Sequence, residues 1–249
     1  MDNVKKGTLH GVSVGPGDPE LMTLKAVRCI EQCPVLAAPQ TAAGRMLALD
    51  IAKGAVDVSG KIILPLHFAM SRDSEVLKAS PAAAADAVRA HLDAGRDVAL
   101  LNLGDVSIYA TYGYLEEILT AQGYAAVRIA GVPSFCVAAA RLGQSLTGGM
   151  EQPLTIAPGR HVEQVLAAPG AKVLMKTGRR LPKTLDALRE SIRAKKAASH
   201  EANADRLAEA ALLDLAGANL TVELPAAVLD QNADHALQQL KDKLSRSRF

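Results

Sequence analysis

Residues 11–21 read GVSVGPGDPEL, a short apolar strand that runs directly into a Gly-Pro-Gly turn carrying an acid. The glycines are those of a phosphate-binding loop, but Pro16 has no backbone N–H to donate, and Asp18 puts a negative charge where phosphate oxygens would lie. No Gly-Lys-Ser/Thr follows, and the third glycine of a dinucleotide fingerprint is a glutamate. We therefore expect this turn to serve a ligand that is not anionic at this point, or no ligand.

Length and charge limit the classes of protein to consider. The 249 residues suffice for one large domain or two small ones with a substantial core. A net charge of +2 and an aromatic content of 3% argue against a nucleic-acid-binding surface. No apolar run is long enough to cross a bilayer, and the N-terminal residues lack the apolar core of a signal peptide. The sequence thus predicts a cytoplasmic protein without nucleic-acid or membrane partners.

The three cysteines are Cys29, Cys33 and Cys136. An odd number in a cytoplasmic chain favours buried small hydrophobic residues over disulfides. Cys29 and Cys33 are four residues apart on a predicted helix and could ligate a metal together, but no second ligand pair is present. We expect no metal site.

Apolar strands alternate with helical patterns along most of the chain, which predicts an α/β protein with mainly parallel sheets. We place a break near Gly123 to Val127 and thus predict two α/β domains, residues 1–123 and 124–249. Predicted strands are 9–14, 34–38, 98–103, 126–130 and 171–176, and predicted helices are 21–32, 80–95, 107–122, 134–142 and 182–195. Beyond these, the patterns suggest a helix over 197–218, a strand over 219–224 and a final helix over 234–245.

Three turns, which we call the strand-end turns, each follow an apolar strand: GPGD (15–18), GDVS (104–107) and GVPS (131–134). In open α/β sheets, ligands bind outside the carboxyl ends of the strands. The alternative is that each glycine simply makes a tight strand-to-helix turn. Asp18 and Asp105 favour a site, because two acids at one sheet edge attract cations or sugar hydroxyls.

The same segments carry a family resemblance. Residues 15–26 (GPGDPELMTLKA), 103–109 (LGDVSIY), 131–135 (GVPSF) and 173–179 (VLMKTGR) resemble, in order and spacing, the motifs of the tetrapyrrole methyltransferases that use S-adenosylmethionine. The resemblance extends from about residue 8 to residue 190. Residues 109–115 and 175–183 most resemble enzymes that methylate the 20-position meso carbon of precorrin-2 or cobalt-factor II in cobalamin synthesis. Alternatives are another tetrapyrrole position (uroporphyrinogen or a later precorrin), a diphthine-type protein substrate, or a non-catalytic homologue.

The resemblance implies a fold, a cofactor and binding residues. It implies a cleft between two α/β domains, with the first domain facing the tetrapyrrole and the second binding the cofactor together with the first, and it implies a homodimer. S-adenosylmethionine is the implied cofactor and S-adenosylhomocysteine the product. The implied cofactor-binding residues are Pro16, Leu103, Gly104, Asp105, Ile108, Tyr109, Ser134, Phe135 and Met175.

The resemblance assigns no catalytic base. Tyr109 and Tyr112 are the weak candidates, followed by Asp18 and His67. A polycarboxylate substrate calls for basic side chains, and we favour Arg160 and Arg179, which lie in turns beside the implied cleft. Arg45, Arg72, His161 and Arg180 are further candidates, and for each of these residues the alternative is a solvated surface charge.

The last part of the chain departs from the family pattern. Residues 197–249 are rich in Ala, Leu and Asp and lack the glycine turn and the aromatic strand that the family places there. The adenine pocket and the dimer contact implied by the resemblance depend on this region.

Overall fold

The computed structural model describes residues 5–68, 74–218 and 238–239. These residues form two compact units. The first unit extends to Thr155 and includes Pro169–Val173, and the second contains Ile156–Ala168 and the chain from Leu174 onwards.

Strands and helices alternate in both units. The strands are β1 (Thr8–Ser13), β2 (Val35–Gln40), β3 (Ile62–His67), β4 (Val98–Asn102), β5 (Ala125–Ile129), β6 (Leu154–Pro158) and β7 (Ala171–Met175). The α-helices are α1 (Leu24–Gln32), α2 (Leu47–Lys53), α3 (Ser74–Asp93), α4 (Tyr112–Ala121), α5 (Ser134–Leu142), α6 (Val162–Ala167) and α7 (Leu181–Ala218).

The first unit is built on a five-stranded sheet of order β3-β2-β4-β1-β5. Every pair in it is parallel. The strands therefore all end at the same edge of the sheet, and β4, β1 and β5, which precede the three strand-end turns, are direct neighbours. Strands β6 and β7 form a separate two-stranded sheet.

Helices cover both faces of the five-stranded sheet, because side chains alternate between the faces along each strand. On one face Ala99 and Leu101 pack with apolar residues of α1 and α2. On the other, Val98 and Leu100 pack with residues of α3 and α4. Strand β4 is fully buried because it has core on both sides, which explains why residues 98–101 are all apolar.

The predicted α/β class is confirmed, and the two compact units divide the chain at a different place from the predicted domain boundary. Strand β5 pairs with β1 from Thr8↔Ala125 to Val12↔Ile129, so residues following Gly123 complete the first sheet. The first unit accordingly continues to Thr155. Gly123 ends α4 in a tight turn with positive φ, and this local signal does not separate domains.

Three helix boundaries also differ from prediction. Ser80 and Pro81 do not start a helix: α3 begins at Ser74, and the Ser80 hydroxyl donates to the His67 carbonyl. Helix α4 begins only at Tyr112. The two helices predicted over 182–195 and 197–218 form the single 38-residue helix α7. The predicted strand 219–224 and most of the predicted helix 234–245 lie outside the described residues, as does Arg72. Among the described helices, none combines the length and the apolar character needed to cross a bilayer.

Gly11 provides a test of the packing around β1. A Cβ at this position would lie 2.5 Å from the Tyr112 ring. We predict that Gly11→Ala lowers the free energy of unfolding by about 1–3 kcal/mol, because the fully buried ring must shift. The matched control is Gly113→Ala in α4, where a Cβ meets nothing within 4 Å and the substitution should be neutral or stabilising. Denaturant unfolding checks both; equal effects of the two variants would contradict the packing described.

Candidate active site

Two of the three strand-end turns are joined by backbone hydrogen bonds. The Val14 N–H donates to the Asn102 carbonyl at 2.9 Å, and the Gly104 N–H donates to the Gly15 carbonyl at 2.8 Å. Gly15 and Gly104 thus form an isolated antiparallel bridge, and both have positive φ. The turn after β1 and the turn after β4 are therefore fixed to each other.

The side chain of Ser13 links the strand before the third turn to the first two turns. Its buried hydroxyl donates to the Ile129 carbonyl at 2.7 Å and accepts from the Val106 N–H at 2.8 Å. Ser13 ends β1, Ile129 ends β5 and Val106 follows β4. One hydroxyl therefore holds three neighbouring strand ends.

Asp105 and Gly131 complete this arrangement, and we call Ser13, Asp105 and Gly131 the junction. Asp105 Oδ2 accepts from the Gly131 N–H at 2.8 Å, and Oδ1 accepts from the Ser107 N–H at 2.8 Å. A Cβ at Gly131 would clash with the Ser13 Cβ. Position 131 therefore requires glycine because β1 and the third turn approach too closely for a side chain.

The turn after β1 is ordered by side-chain caps. Asp18 accepts from the Glu20 N–H at 3.0 Å and caps the short 3₁₀ helix Pro19–Leu21. The Thr23 hydroxyl caps α1 by accepting from the Ala26 N–H, and it donates to the Ala130 carbonyl at 3.3 Å. Since Ala130 precedes the third turn, Thr23 provides another link between the first and third turns.

A cleft of about 340 Å³ opens beside these turns, which is within the range of small-molecule sites. It contains one acid, Asp18, and one base, Arg141. Its lining residues are Pro16, Gly17, Asp18, Leu21, Ser134, Val137, Ala138 and Arg141. Apolar walls with one group of each charge suit a small amphipathic or zwitterionic molecule.

The predicted cofactor residues of the first unit lie on this sheet edge. Pro16 and Ser134 line the cleft. Leu103 and Tyr109 are 49% and 44% exposed, and Tyr109 has a φ of 50°, which is rare for a residue with a side chain. Ile108 and Phe135 are half-buried. Met175 belongs to the second unit, where it ends β7.

These residues fit S-adenosylmethionine chemically. The nearest atom to a Cβ at Gly104 would be the Ser134 nitrogen at 4.0 Å, so the backbones of the second and third turns lie close together there. Exposed Leu103 offers an apolar contact, and Asp18 in the cleft offers an acid for the ammonium of an amino acid. Among the described residues, no cluster of His, Cys, Asp or Glu is suited to a metal ion.

Tyr112 is not a candidate base, which corrects the prediction from sequence. Its side chain is fully buried, and its hydroxyl donates to the Val127 carbonyl at 3.2 Å. Burial, with the neighbouring Glu116 carboxylate, raises the pKa of Tyr112 well above its usual value. Tyr112 is a core residue that packs against Gly11.

The predicted substrate-binding arginines are in the second unit. Arg160 is exposed, and its Nε lies 2.9 Å from His161 Nε2. His161 is in turn held by Gln164 at 3.1 Å. The Arg179 side chain lies outside the described part of the structure. The roles of Arg160 and Arg179 stay predictions.

Several site residues are missed by the sequence reasoning. Ser13 gives no local signal, because a serine in an apolar strand looks like an isolated polar substitution. Val137, Ala138 and Arg141 do carry a signal: they follow Ser134 at helical spacing and so share one face of α5. Extending the third motif along that face would have found them.

Comparison with known proteins identifies the family. Residues 8–204 match the family described as Tetrapyrrole (Corrin/Porphyrin) Methylases. The chain belongs to the tetrapyrrole methylase family. Its relatives include the precorrin-2 C(20)-methyltransferase of Sinorhizobium sp, which is 35% identical over 77% of this chain and 82% of the relative. The cobalt-precorrin-2 C(20)-methyltransferase of Salmonella typhimurium is 30% identical over 68% and 73%.

Three further matches concern the length of this chain, its fold and its C-terminal region. The cobalamin biosynthesis protein CobIJ of Mycobacterium bovis is 34% identical over 75% of this chain, but this chain spans only 38% of that relative. The crystal structure of the cobalt precorrin-4 methyltransferase CbiF has a TM-score of 0.55 at 18% identity, over 74% of each chain, which supports the fold alone. Residues 184–248 also match the family described as the C-terminus of bacterial trigger factor.

Asp105 provides the test of the site. We predict that Asp105→Ala weakens S-adenosylhomocysteine binding by a factor of about 10 to 150, because the Gly131 and Ser107 N–H groups lose a charged acceptor, an effect of about 1.5–3 kcal/mol. The control is Asp57→Ala, since the Asp57 carboxylate accepts from the Ser59 N–H and hydroxyl in an exposed turn outside the cleft. Calorimetric titration should show unchanged affinity for Asp57→Ala. Wild-type affinity in Asp105→Ala would contradict this role.

Proposed function

We propose that this chain transfers a methyl group from S-adenosylmethionine to the 20-position meso carbon of precorrin-2 or cobalt-factor II in cobalamin synthesis. The observation that carries the proposal is the junction, which brings three family motifs to one sheet edge beside a cleft. Relatives named for C(20) methylation, at 35% and 30% identity, support the choice of position.

The cofactor, when bound, supplies an electrophilic methyl group on a sulfonium. The residues of this chain then have to bind and orient both partners, since positioning can supply much of such a rate. We propose that Leu103, Gly104 and Asp105 contact the methionyl part, with Pro16 and Ser134 bordering it. Asp18 and Asp105 place negative charge at the edge where a cationic centre would bind, which is stabilising at short range.

A proton must leave the meso carbon once the new carbon bond forms, and Tyr109 is the remaining tyrosine candidate for the group that receives it. Tyr109 is exposed beside the second turn, whereas Tyr112 is buried. The positive φ of Tyr109 costs energy, and such backbone strain concentrates at functional sites.

Methylation at another tetrapyrrole position is the second candidate. The precorrin-4 C(11)-methyltransferase of Pseudomonas aeruginosa is 30% identical over 56% of this chain. Its coverage is smaller than that of the C(20) enzymes, so we favour position 20. A homodimer, as the family resemblance implies, remains part of the proposal.

The decisive assay has two stages. Calorimetry with S-adenosylhomocysteine should show one site per chain, and absence of binding would overturn the enzyme proposal. Incubation with methyl-labelled cofactor and either precorrin-2 or cobalt-factor II should then label one of them once. Nuclear magnetic resonance of the product should place the label at position 20, and a label elsewhere would establish the second candidate.

Arg141 provides the test of substrate binding at the cleft. We predict that Arg141→Ala raises KM for the tetrapyrrole about tenfold and leaves S-adenosylhomocysteine affinity unchanged, because the cleft loses its one cation for a substrate carboxylate. The control, Arg89→Ala, removes an arginine paired with Asp86 on α3 and should leave KM unchanged. An equal loss of both affinities in Arg141→Ala would show a structural role and contradict the assignment.

A further inference from the structure

Two thiols, an imidazole and a carboxylate form a compact group in the first unit, and none of them lines the cleft. We call His10, Cys29, Cys33 and Asp97 the thiol cluster. The sulfurs of Cys29 and Cys33 are 3.9 Å apart, and His10 Nε2 lies 3.9 Å from Asp97 Oδ2. The Cys29 thiol raises the pKa of the His10 imidazole, and His10 in turn lowers the pKa of Cys29. The mechanism proposed above uses none of these groups.

The backbone holds the cluster in place. Cys29 lies in the last turn of α1 and Cys33 is its C-cap, with the Cys33 N–H donating to the Cys29 carbonyl at 3.0 Å. His10 is on β1, against which α1 packs. Asp97 directly precedes β4 and its Oδ1 accepts from the Thr8 N–H at 2.7 Å. The four side chains therefore come together wherever β1, β4 and α1 are folded.

We propose that Cys29 and Cys33 are a redox-active dithiol that hydrogen peroxide converts to a disulfide, with Cys29 as the attacking sulfur and His10 as its cationic partner.

The geometry permits the bond. Four residues along a helix separate two Cα atoms by about 6 Å, within the range of about 4.4–6.8 Å seen in disulfides. The sulfurs must close from 3.9 Å to about 2.0 Å. Cys33 has extended backbone angles (φ −73°, ψ 128°), so its side chain is not confined by a following helical turn.

The environment distinguishes the two sulfurs. A hydrogen bond with Cys33 and then the His10 imidazole lower the pKa of the Cys29 thiol, while the same thiol–thiol bond and burial raise the pKa of Cys33. The bond to Cys29 raises the pKa of His10. Asp97 opposes ionisation of both thiols, and Lys61, whose ammonium donates to the Cys33 carbonyl at 2.9 Å, favours it at Cys33. Cys29 is thus the more readily ionised of the two thiols, which suits it to the role of attacking sulfur.

The two steps balance. The Cys29 thiolate attacks one oxygen of hydrogen peroxide, the O–O bond breaks, and the departing hydroxide takes the His10 proton to become water. Cys29 is then a sulfenic acid. The Cys33 sulfur attacks it, the S–S bond forms as the S–O bond breaks, and the hydroxyl leaves as water with the Cys33 proton. In sum, two thiols reduce one peroxide to two waters.

The burial of the Cys29 and Cys33 side chains limits which oxidants can reach their sulfurs. Cys29 is 8% exposed and Cys33 2% exposed, whereas Cys136 is exposed on α5. A peroxide molecule is small enough to reach a slightly exposed sulfur, while a bulky disulfide is not. Cys136 serves as an internal reference for an exposed thiol.

The test uses the full wild-type chain. After treatment with hydrogen peroxide, free thiols are alkylated under denaturing conditions and the chain is cut with trypsin, which leaves both cysteines in the peptide of residues 29–45. We expect this peptide to lose two hydrogen atoms and to resist alkylation before Cys136 is oxidised. Alkylation of both Cys29 and Cys33 after Cys136 has been oxidised would overturn the proposal.

Variants test the two roles. Cys33→Ser should stop the reaction at a Cys29 sulfenic acid, trapped by dimedone, and His10→Gln should slow oxidation of Cys29 about tenfold. Cys29→Ser should leave Cys33 without a dimedone adduct under the same conditions. Thermal unfolding is measured in parallel, and only variants that fold are compared. The peroxide experiment on the wild-type chain tests the proposal even if no variant folds. The assignment of Cys29 as the attacking sulfur would be overturned if dimedone adducts formed as fast on Cys33 in Cys29→Ser as on Cys29 in Cys33→Ser.

Discussion

The hydroxyl of Ser13 is the interaction on which the rest of the site depends. It satisfies a carbonyl at the end of β5 and an N–H after β4, and it stands at the end of β1 between them. Both bonds are buried, so their loss would leave polar groups without water to replace them. The requirement also fixes Gly131, because the short distance that lets the hydroxyl reach the Ile129 carbonyl leaves no room for a Cβ at the next turn.

Asp105 has a structural role in this arrangement that its charge alone does not predict. The sequence indicates an acid that attracts a cation, whereas the structure shows a carboxylate whose two oxygens each accept a backbone N–H. The two roles are compatible, because a carboxylate that accepts backbone N–H groups can also attract a cation. The charge is then held in one place, and the turn that follows β5 is held with it.

Much of the first unit could be predicted from local sequence. Residues 98–101 are a continuous apolar run because a parallel strand between two helical layers is buried on both sides, and parallel strands bring their following turns to one edge. Ser13 could not be recognised, since its two bonds join residues 93 and 116 positions away along the chain. Pro81 was misleading for a similar reason: proline usually marks a helix start, but α3 continues through it.

Less of the second unit could be predicted from the sequence and the family pattern. The sequence indicates two helices after residue 182, and the structure joins them in α7, which is exposed over residues 192–215. Residues 184–248 match the trigger factor C-terminus, so the departure from the family begins within α7. Within the described residues, the junction and the cleft both belong to the first unit.

A crystal structure of the chain with S-adenosylhomocysteine would test the central claim most directly. The account predicts that the bound ligand touches residues of all three strand-end turns, with its amino-acid end near Leu103, Gly104 and Asp105 and with the Ser13 bonds intact. A ligand bound away from these turns, or bound with the bonds between Ser13, Ile129 and Val106 broken, would contradict it.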